Sequence, residues 1–370
     1  MEKKKVVVGM SGGVDSSVAA YLLKEEGYDV VGITMQIWQS EEQARMEDNG
    51  GCCGLSAVDD ARRVCEAIGI PHYVMNFRDI FREKVITYFV DEYLRGHTPN
   101  PCIACNRYVK WEALLERSLQ IGADYIATGH YARILQLPNG RYTIQNSVTA
   151  AKDQTYALYN LTQEQLSHTL LPIGAYDKDS IRRIAAEAML PVAHKPDSQE
   201  ICFIPDHDYA GYIDQECAGT GRVPGPGNFV LKDGTVVGTH KGITHYTIGQ
   251  RKGLGIAFGH PVFVSEIRPD TNEVVLDEGD AVFGDHLVCD QVNLMSIPEL
   301  TGEREVLAKI RYSHKGEKAI IRPDGDPGRI AVEFLKPVRA ITPGQAVVFY
   351  EEEHVLGGGV ICAPGERSGS

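Results

Sequence analysis

Lys5-Val6-Val7-Val8-Gly9-Met10-Ser11-Gly12-Gly13-Val14-Asp15-Ser16-Ser17 is the stretch that decides the fold. Val6 to Val8 reads as a short buried strand, the glycines and serines as a turn, and Val14 onward as a helix. Val14, Val18, Tyr21 and Leu22 fall at i, i+4, i+7 and i+8, a stripe that faces a sheet. Gly27 stands where helices stop. A strand, a glycine turn and a helix N-terminus make an anion site, because turn N–H groups and the helix dipole point the same way. The loop lacks the Gly-Lys-Ser/Thr ending of the ordinary phosphate loop, so no lysine within it holds a γ-phosphate. It suits the pyrophosphate part of ATP and implies AMP-forming chemistry.

Outward from this loop, strand and helix patterns alternate over the first third of the chain. Asp29 to Met35 reads as a second strand, Ser56 to Ile68 as a helix with Ser56 and Asp59 spaced as a capping box, and His72 to Asn76 as a third strand. Ile80 to Leu94 and Lys110 to Ile121 read as helices, and Asp124 to Thr128 as another buried strand. This alternation predicts an α/β domain with a doubly wound parallel sheet. Ligands on such sheets bind at the carboxyl ends of strands, where Gly9, Met35 and Thr128-Gly129-His130 all fall.

After Gly129 the pattern changes. Tyr131 to Gln145 reads as a hairpin around Asn139-Gly140, followed by helical stretches near Thr162 to His168 and Lys178 to Met189. Beyond Asp206 glycine-rich turns separate short strands, among them Phe229 to Leu231, Val262 to Val264, Glu273 to Leu276 and Ala346 to Phe349. The expected division is a nucleotide-binding catalytic domain over 1–205, a small central linking domain over 206–285, a C-terminal β-barrel or sandwich over 286–363, and a disordered tail over 364–370.

Composition bounds the remaining choices. The 370 residues are 43% hydrophobic, enough for real cores, yet no apolar run is long enough for a membrane span. Lys3 to Lys5 lead straight into the first strand with no signal-peptide core, so the cytoplasm is expected. A net charge of −13 argues against binding nucleic acid with the whole surface and leaves room for a local basic stripe. The nine cysteines are scattered and odd in number, which points to catalysis or metal binding rather than a disulfide scaffold.

Three cysteines carry chemistry. Cys102 and Cys105 stand in Thr98-Pro99-Asn100-Pro101-Cys102-Ile103-Ala104-Cys105-Asn106, and Cys202 in Asp197-Ser198-Gln199-Glu200-Ile201-Cys202-Phe203. With Asn106 as a helix cap, Cys105 would precede a helix N-terminus beside Arg107 and Lys110, a setting that favours the thiolate. Cysteine is also a carrier of transferable sulfur as a persulfide. Structural zinc lacks a second ligand pair, and Cys52-Cys53 is poor ligand geometry. An iron–sulfur cluster on Cys102, Cys105 and Cys202 remains a rival. Cys65, Cys289 and Cys362 read as core, and Cys217 as incidental.

Two segments have the composition of RNA contacts. His240 to Gly255 holds Lys241, His245, Arg251 and Lys252 with no acid, and Lys309 to Arg322 combines basic residues with Tyr312. A solvated β-face is the plain alternative for each.

Taken together, these motifs resemble the bacterial tRNA-specific 2-thiouridylases, from about Lys5 to Ala363. Ser-Gly-Gly-Val-Asp-Ser marks only the wider PP-loop ATP pyrophosphatase superfamily. Asn-Pro-Cys-x-x-Cys-Asn, Ala-Thr-Gly-His-Tyr-Ala-Arg, Lys-Asp-Gln-Thr-Tyr, Ser-Gln-Glu-Ile-Cys-Phe and Thr-Ile-Gly-Gln-Arg-Lys-Gly-Leu-Gly narrow it to this family. The resemblance implies ATP-dependent 2-thiolation of the wobble uridine in tRNAs for Lys, Glu and Gln. The uridine C2 oxygen is adenylated, and sulfur arrives from a cysteine persulfide. It implies Cys202 as the persulfide carrier and Cys105 as partner nucleophile, with a Cys105–Cys202 disulfide in one version of the transfer.

By the same resemblance the ATP site comprises Gly9, Met10, Ser11, Gly12, Gly13, Val14, Asp15, Ser16, Met35 and Gly129, taking ATP with Mg2+. Asn100, Pro101 and Cys102 would meet the target base, and Lys152, Asp153, Gln154, Arg311 and Tyr312 the tRNA. Some members carry aspartate where this chain has Cys102, so Cys102 takes no catalytic role here. A cysteine desulfurase or a sulfur-relay protein would supply sulfur, and a monomer is expected. The rival readings are another AMP-forming PP-loop ligase, of the argininosuccinate or lysidine synthetase type, an iron–sulfur-dependent thiolase, and an RNA-binding factor without chemistry.

Overall fold

A computed structural model describes residues 3–38, 55–197, 201–204 and 206–366. The chain forms two compact units. The first comprises Met1–Ile86, Pro101–His207 and Glu352–Leu356, the second Thr87–Asn100, Asp208–Glu351 and Gly357–Ser370.

The first unit is built on a parallel sheet of β1 (Lys5–Gly9), β2 (Asp29–Gln36), β3 (His72–Asn76), β4 (Tyr125–Ala127) and β7 (Thr169–Leu170), in the order β3-β2-β1-β4-β7. The register runs Val7↔Val31 on one side of β1 and Val7↔Ile126 on the other. Val6, Val7 and Val8 are wholly buried, as central parallel strands covered on both faces must be. The strand order reverses between β1 and β4, which opens a crevice at their carboxyl ends.

One face of this sheet is covered by the helices Val14–Glu25, Leu55–Ile68 and Lys178–Glu187, whose apolar sides meet in a core of Val18, Leu23, Val64, Cys65, Ile181 and Ala185. Gly27, at φ +92°, ends the first of them as expected. Leu55 is already helical, so Ser56 sits inside the first turn rather than at the cap expected for it. A capping box does form further on, where Thr162 and Gln165 cap Gln163–Ser167 reciprocally.

The largest local departure lies at the cysteine pair. The helix begins at Pro101, runs as α-helix through Ala104, continues as wide π turns over Cys105–Leu114 and returns to α-helix over Leu115–Gln120. Proline at a first helical position loses no hydrogen bond and has its φ already set. Asn106 is therefore no cap. It is buried in the second turn, donates from Nδ2 to the Ala157 carbonyl at 2.9 Å and accepts from Lys110.

The hairpin of β5 (Ala132–Gln136) and β6 (Tyr142–Asn146) turns through Asn139-Gly140, with Gly140 at φ +82°. His354 pairs with Gln145, and Thr143 Oγ1 donates to the Val355 carbonyl.

The second unit holds two β-assemblies. β8 (Gly227–Val230), β9 (Val236–His240), β10 (Val262–Arg268) and β11 (Glu273–Glu278) form a sheet in the order β10-β11-β8-β9. β12 (Phe283–Leu294), β13 (Arg304–Lys309), β14 (Glu317–Pro323), β15 (Ile330–Arg339), β16 (Ala346–Glu351) and β17 (His354–Ile361, of which Gly357–Ile361 falls in this unit) form a barrel. It is closed by the β12–β17 pairing, with Cys289 opposite Ile361. Closure removes exposed edges, which settles the choice between barrel and sandwich.

Thr87–Asn100 belongs to this unit. In its Gly96-to-Pro99 stretch, Thr98 N–H donates to the Pro343 carbonyl and Gln345 Nε2 to the Thr98 carbonyl, each at 2.9 Å. Pro364–Glu366, expected as part of the tail, turn back so that Arg329 donates to the Glu366 carbonyl at 2.6 Å. The rest of that tail, 367–370, lies outside the described residues, as do Cys52 and Cys53.

Candidate active site

The phosphate loop is shaped by its own hydroxyls. Ser16 Oγ accepts from Ser11 N–H at 3.2 Å, and Ser17 Oγ donates to the Gly13 carbonyl at 2.7 Å. Met10 N–H donates to the Ile33 carbonyl, while Thr34 Oγ1 donates to the Met10 carbonyl at 3.0 Å, fastening the loop to β2 one residue before Met35. Gly12, at φ +67°, lies flat on the helix Leu55–Ile68, and a Cβ there would stand 2.4 Å from the Ala57 carbonyl oxygen. The helix Val14–Glu25 starts at Gly13 without a side-chain cap. Its first N–H groups therefore face into the loop, the arrangement that receives an anion.

Gly129 closes the site from β4. A Cβ on it would come within 2.6 Å of the backbone of Asp15 and Ser16, so only glycine allows this approach. Beside it, Thr128 Oγ1 and His130 Nδ1 are 2.7 Å apart, and His130 packs against Trp111. Burial, and then the Lys110 charge, hold the His130 imidazole well below its ordinary pKa, so it is neutral at pH 7.

Local sequence reading missed a charged network that distant elements bring to the loop. Lys178, 163 residues from Asp15 and first in the helix Lys178–Glu187, places its Nζ 2.8 Å from Asp15 Oδ1 and 3.0 Å from Oδ2. Tyr131 donates its hydroxyl to the same Oδ1 at 2.8 Å. Lys178 also pairs with Asp197 at 2.8 Å, as do Lys152 at 2.8 Å and Arg182 at 3.0 Å. Burial alone would raise the Asp197 carboxyl, but hydrogen bonds from Lys152 and Lys178 outweigh it and hold the pKa at about 2. Lys195 donates to the Gly12 carbonyl at 3.1 Å and pairs with Asp60 at 2.7 Å. Asp15, Tyr131, Lys152, the Lys178–Arg182 turn and the Lys195–Asp197 stretch are separate segments, so no one local motif announces that they meet.

Of the remaining expected residues, Asp153 accepts from Ser147 N–H, and Gln154 Oε1 accepts from Tyr131 N–H, both at structural turns. Cys102 is exposed in the first helical turn, and Cys105 is half-buried one turn later. Cys102 and Cys105 are three apart on one helix and share a face. Asn100 and Pro101 lead directly into that turn.

Half-buried Cys202 sits in a turn closed by Ile204 N–H donating to the Ile201 carbonyl. Its neighbour Phe203 packs edge-on against Phe81, 5.7 Å away, in the helix Arg78–Phe81 that lies against Cys105–Leu114. Among the described residues the cysteines are thiols, and no three His, Cys, Asp or Glu side chains converge as metal ligands. Cys102, Cys105 and Cys202 thus do not form a gathered donor set for a cluster.

Arg311 and Tyr312 lie in the second unit, Arg311 donating to the Arg339 carbonyl and Tyr312 being 51% exposed. The basic segments around them are partly neutralised, Lys318 by Glu305 and Arg322 by Glu333. His240 is buried rather than presented to solvent. Cys65, Cys217 and Cys289 are buried, whereas Cys362, expected in the core, is half-buried just past the end of β17.

The parallel sheet, its switch point and the Ser-Gly-Gly-Val-Asp-Ser turn define an α/β nucleotide-binding protein of the PP-loop class. A family model described as a tRNA methyl transferase HUP domain matches residues 4–206, one described as a tRNA methyl transferase PRC-barrel domain matches 221–278, and an aminomethyltransferase beta-barrel domain matches 284–361. A protein named tRNA-specific 2-thiouridylase MnmA from Lachnoclostridium phytofermentans is 64% identical over 97% of this chain and 99% of its own. Relatives of the same name from Clostridium perfringens, at 59% over 98% and 99%, and Clostridium acetobutylicum, at 57% over 97% and 99%, agree. The chain belongs to the tRNA-specific 2-thiouridylase family. Among the described residues no helix is long and apolar enough to cross a membrane.

Proposed function

We propose that this chain thiolates C2 of the wobble uridine in tRNAs for Lys, Glu and Gln, as a cytoplasmic monomer using ATP. The observation that supports it most is the occurrence in one unit of an uncapped helix N-terminus at the sheet's switch point and a thiol-bearing helix over Pro101–Leu114. ATP lies with its pyrophosphate on Gly9 to Ser16 and its nucleoside toward Met35 and Gly129. Mg2+ enters as part of the nucleotide, held chiefly by its phosphates.

A carbonyl oxygen is a poor leaving group. The uridine C2 oxygen attacks the α-phosphorus, pyrophosphate departs onto the loop, and the oxygen becomes part of AMP. The target base must leave its stack to reach the site, and Asn100, Pro101 and Cys102 receive it. Lys152, Asp153 and Gln154, with Arg311 and Tyr312, contact the tRNA.

Cys202 carries a persulfide delivered by a cysteine desulfurase or a relay protein. Its terminal sulfur attacks C2, a C–S bond forms and AMP leaves with the former carbonyl oxygen. The Cys105 thiolate then attacks Cys202 Sγ. The persulfide S–S bond breaks, its electron pair stays on the sulfur now at C2, and a Cys105–Cys202 disulfide forms. An external thiol reduces that disulfide before the next turnover.

The test combines the protein, unmodified tRNA for Glu, Mg-ATP, a cysteine desulfurase and labelled cysteine. Label should enter tRNA with wild type and Cys102→Ser but not with Cys105→Ser or Cys202→Ser. Full activity in either of the latter two would overturn the assignment of the cysteines. No AMP formation in the presence of tRNA would overturn the reaction itself.

A further inference from the structure

Lys178 occupies a position its sequence context does not announce. Its ammonium stands against the second residue of the helix Val14–Glu25, at the uncapped end that faces the loop. Asp15 is a liability there for a phosphate: its carboxylate competes for the positive potential of the helix end and repels an arriving anion. Lys178 cancels that charge. We infer that Lys178 is the phosphate-contact residue of this site, the cation that takes the β- and γ-phosphates of ATP and holds the departing pyrophosphate. The inference rests on the ATP reading above and supplies the lysine that the loop itself lacks.

Three features make the transfer of this ammonium to a phosphate inexpensive. Asp15 keeps the Tyr131 hydroxyl when Lys178 turns away, and that phenol stays protonated because burial, and then the Asp15 charge, push its pKa up. Asp197 keeps Lys152 and Arg182. Three cations face the two carboxylates Asp15 and Asp197, so the cluster carries an excess positive charge where a polyanion would arrive. Lys195 differs in this respect. Its ammonium is committed to the Gly12 carbonyl and Asp60, so it maintains the shape of the loop rather than meeting the ligand.

Calorimetric titration of the full chain with inorganic pyrophosphate, α,β-methylene-ATP and AMP tests this, in wild type, Lys178→Met and Lys178→Arg. Lys178→Met should weaken pyrophosphate and the ATP analogue at least tenfold and leave AMP unchanged, since AMP lacks the two phosphates concerned. Lys178→Arg should recover part of the loss, because it keeps the charge with a different geometry. Unchanged pyrophosphate affinity in Lys178→Met, or an equal loss for AMP, would overturn the inference and leave Lys178 a structural residue. Wild type that binds neither the analogue nor pyrophosphate would instead overturn the ATP reading on which it rests. Should the variants fail to fold, wild-type Lys178 is acetylated with and without pyrophosphate and read by mass spectrometry. Protection is the expected result, and equal acetylation would refute the contact.

Discussion

Gly129 and Asp15 touch backbone to backbone: a Cβ on Gly129 would stand 2.6 Å from the carbonyl carbon of Asp15. The end of β4 is thereby pressed against the first turn of the helix Val14–Glu25. This contact brings the two strands flanking the switch point to one nucleotide crevice.

Gly129→Val should disrupt it. Neither backbone can retreat without disturbing the sheet, so the variant should lose about 2 kcal/mol of stability or more and bind ATP analogues at least about tenfold more weakly (a 1.4 kcal/mol change). Chemical denaturation and a binding titration measure the two effects separately. Wild-type values for both would show that the strand end relaxes freely.

Gly12→Ala meets two obstacles, a left-handed backbone at φ +67° and the Ala57 carbonyl oxygen 2.4 Å from the new methyl. Each obstacle of this kind costs roughly 1–3 kcal/mol. The expected outcome is a lower melting temperature together with loss of ATP binding, relieved by excess ligand if the loop still closes.

Native thiol labelling should sort the cysteines by burial. The Cys65 thiol is buried in the sheet–helix core and pushed up to about 12 by burial and then by the Glu66 charge. Burial likewise raises Cys289. Among the described cysteines, iodoacetamide at pH 8 should alkylate exposed Cys102 first and leave Cys65 and Cys289 unmodified until the chain unfolds. Peptide mass spectrometry over a time course reads the order, and early labelling of Cys65 would contradict the packing.

Acid should reveal Asp197. Its folded pKa of about 2 lies below the ordinary 3.8, so it contributes stability that is fully present above pH 3.8 and is lost as pH falls toward 2. The wild-type advantage over Asp197→Asn in unfolding free energy should be constant near neutrality and shrink below about pH 4. An advantage independent of pH down to 2 would mean that the three cations do not hold the carboxylate.

The loop, the strands around it and the cysteine pair were legible because each is a local pattern. A buried parallel strand is a run of valines, a phosphate turn needs glycine at φ above zero, and an amphipathic helix repeats every three to four residues. The helix start at Pro101 was misread, because Asn106 satisfies the residue preference of a cap. Its amide is instead claimed by the Ala157 carbonyl, 51 residues away.

What the sequence alone determined was the fold class, the position of the phosphate turn and the family, because periodicity, turn chemistry and motif spacing are properties of adjacent residues. Only the tertiary structure decided the electrostatics of the site. Asp15, Tyr131, Lys178 and Asp197 come from four separate segments. Charges interact through distance in space, and Asp15 and Lys178, 163 positions apart in sequence, bring their charged atoms to 2.8 Å once the helix Lys178–Glu187 packs beside the loop helix.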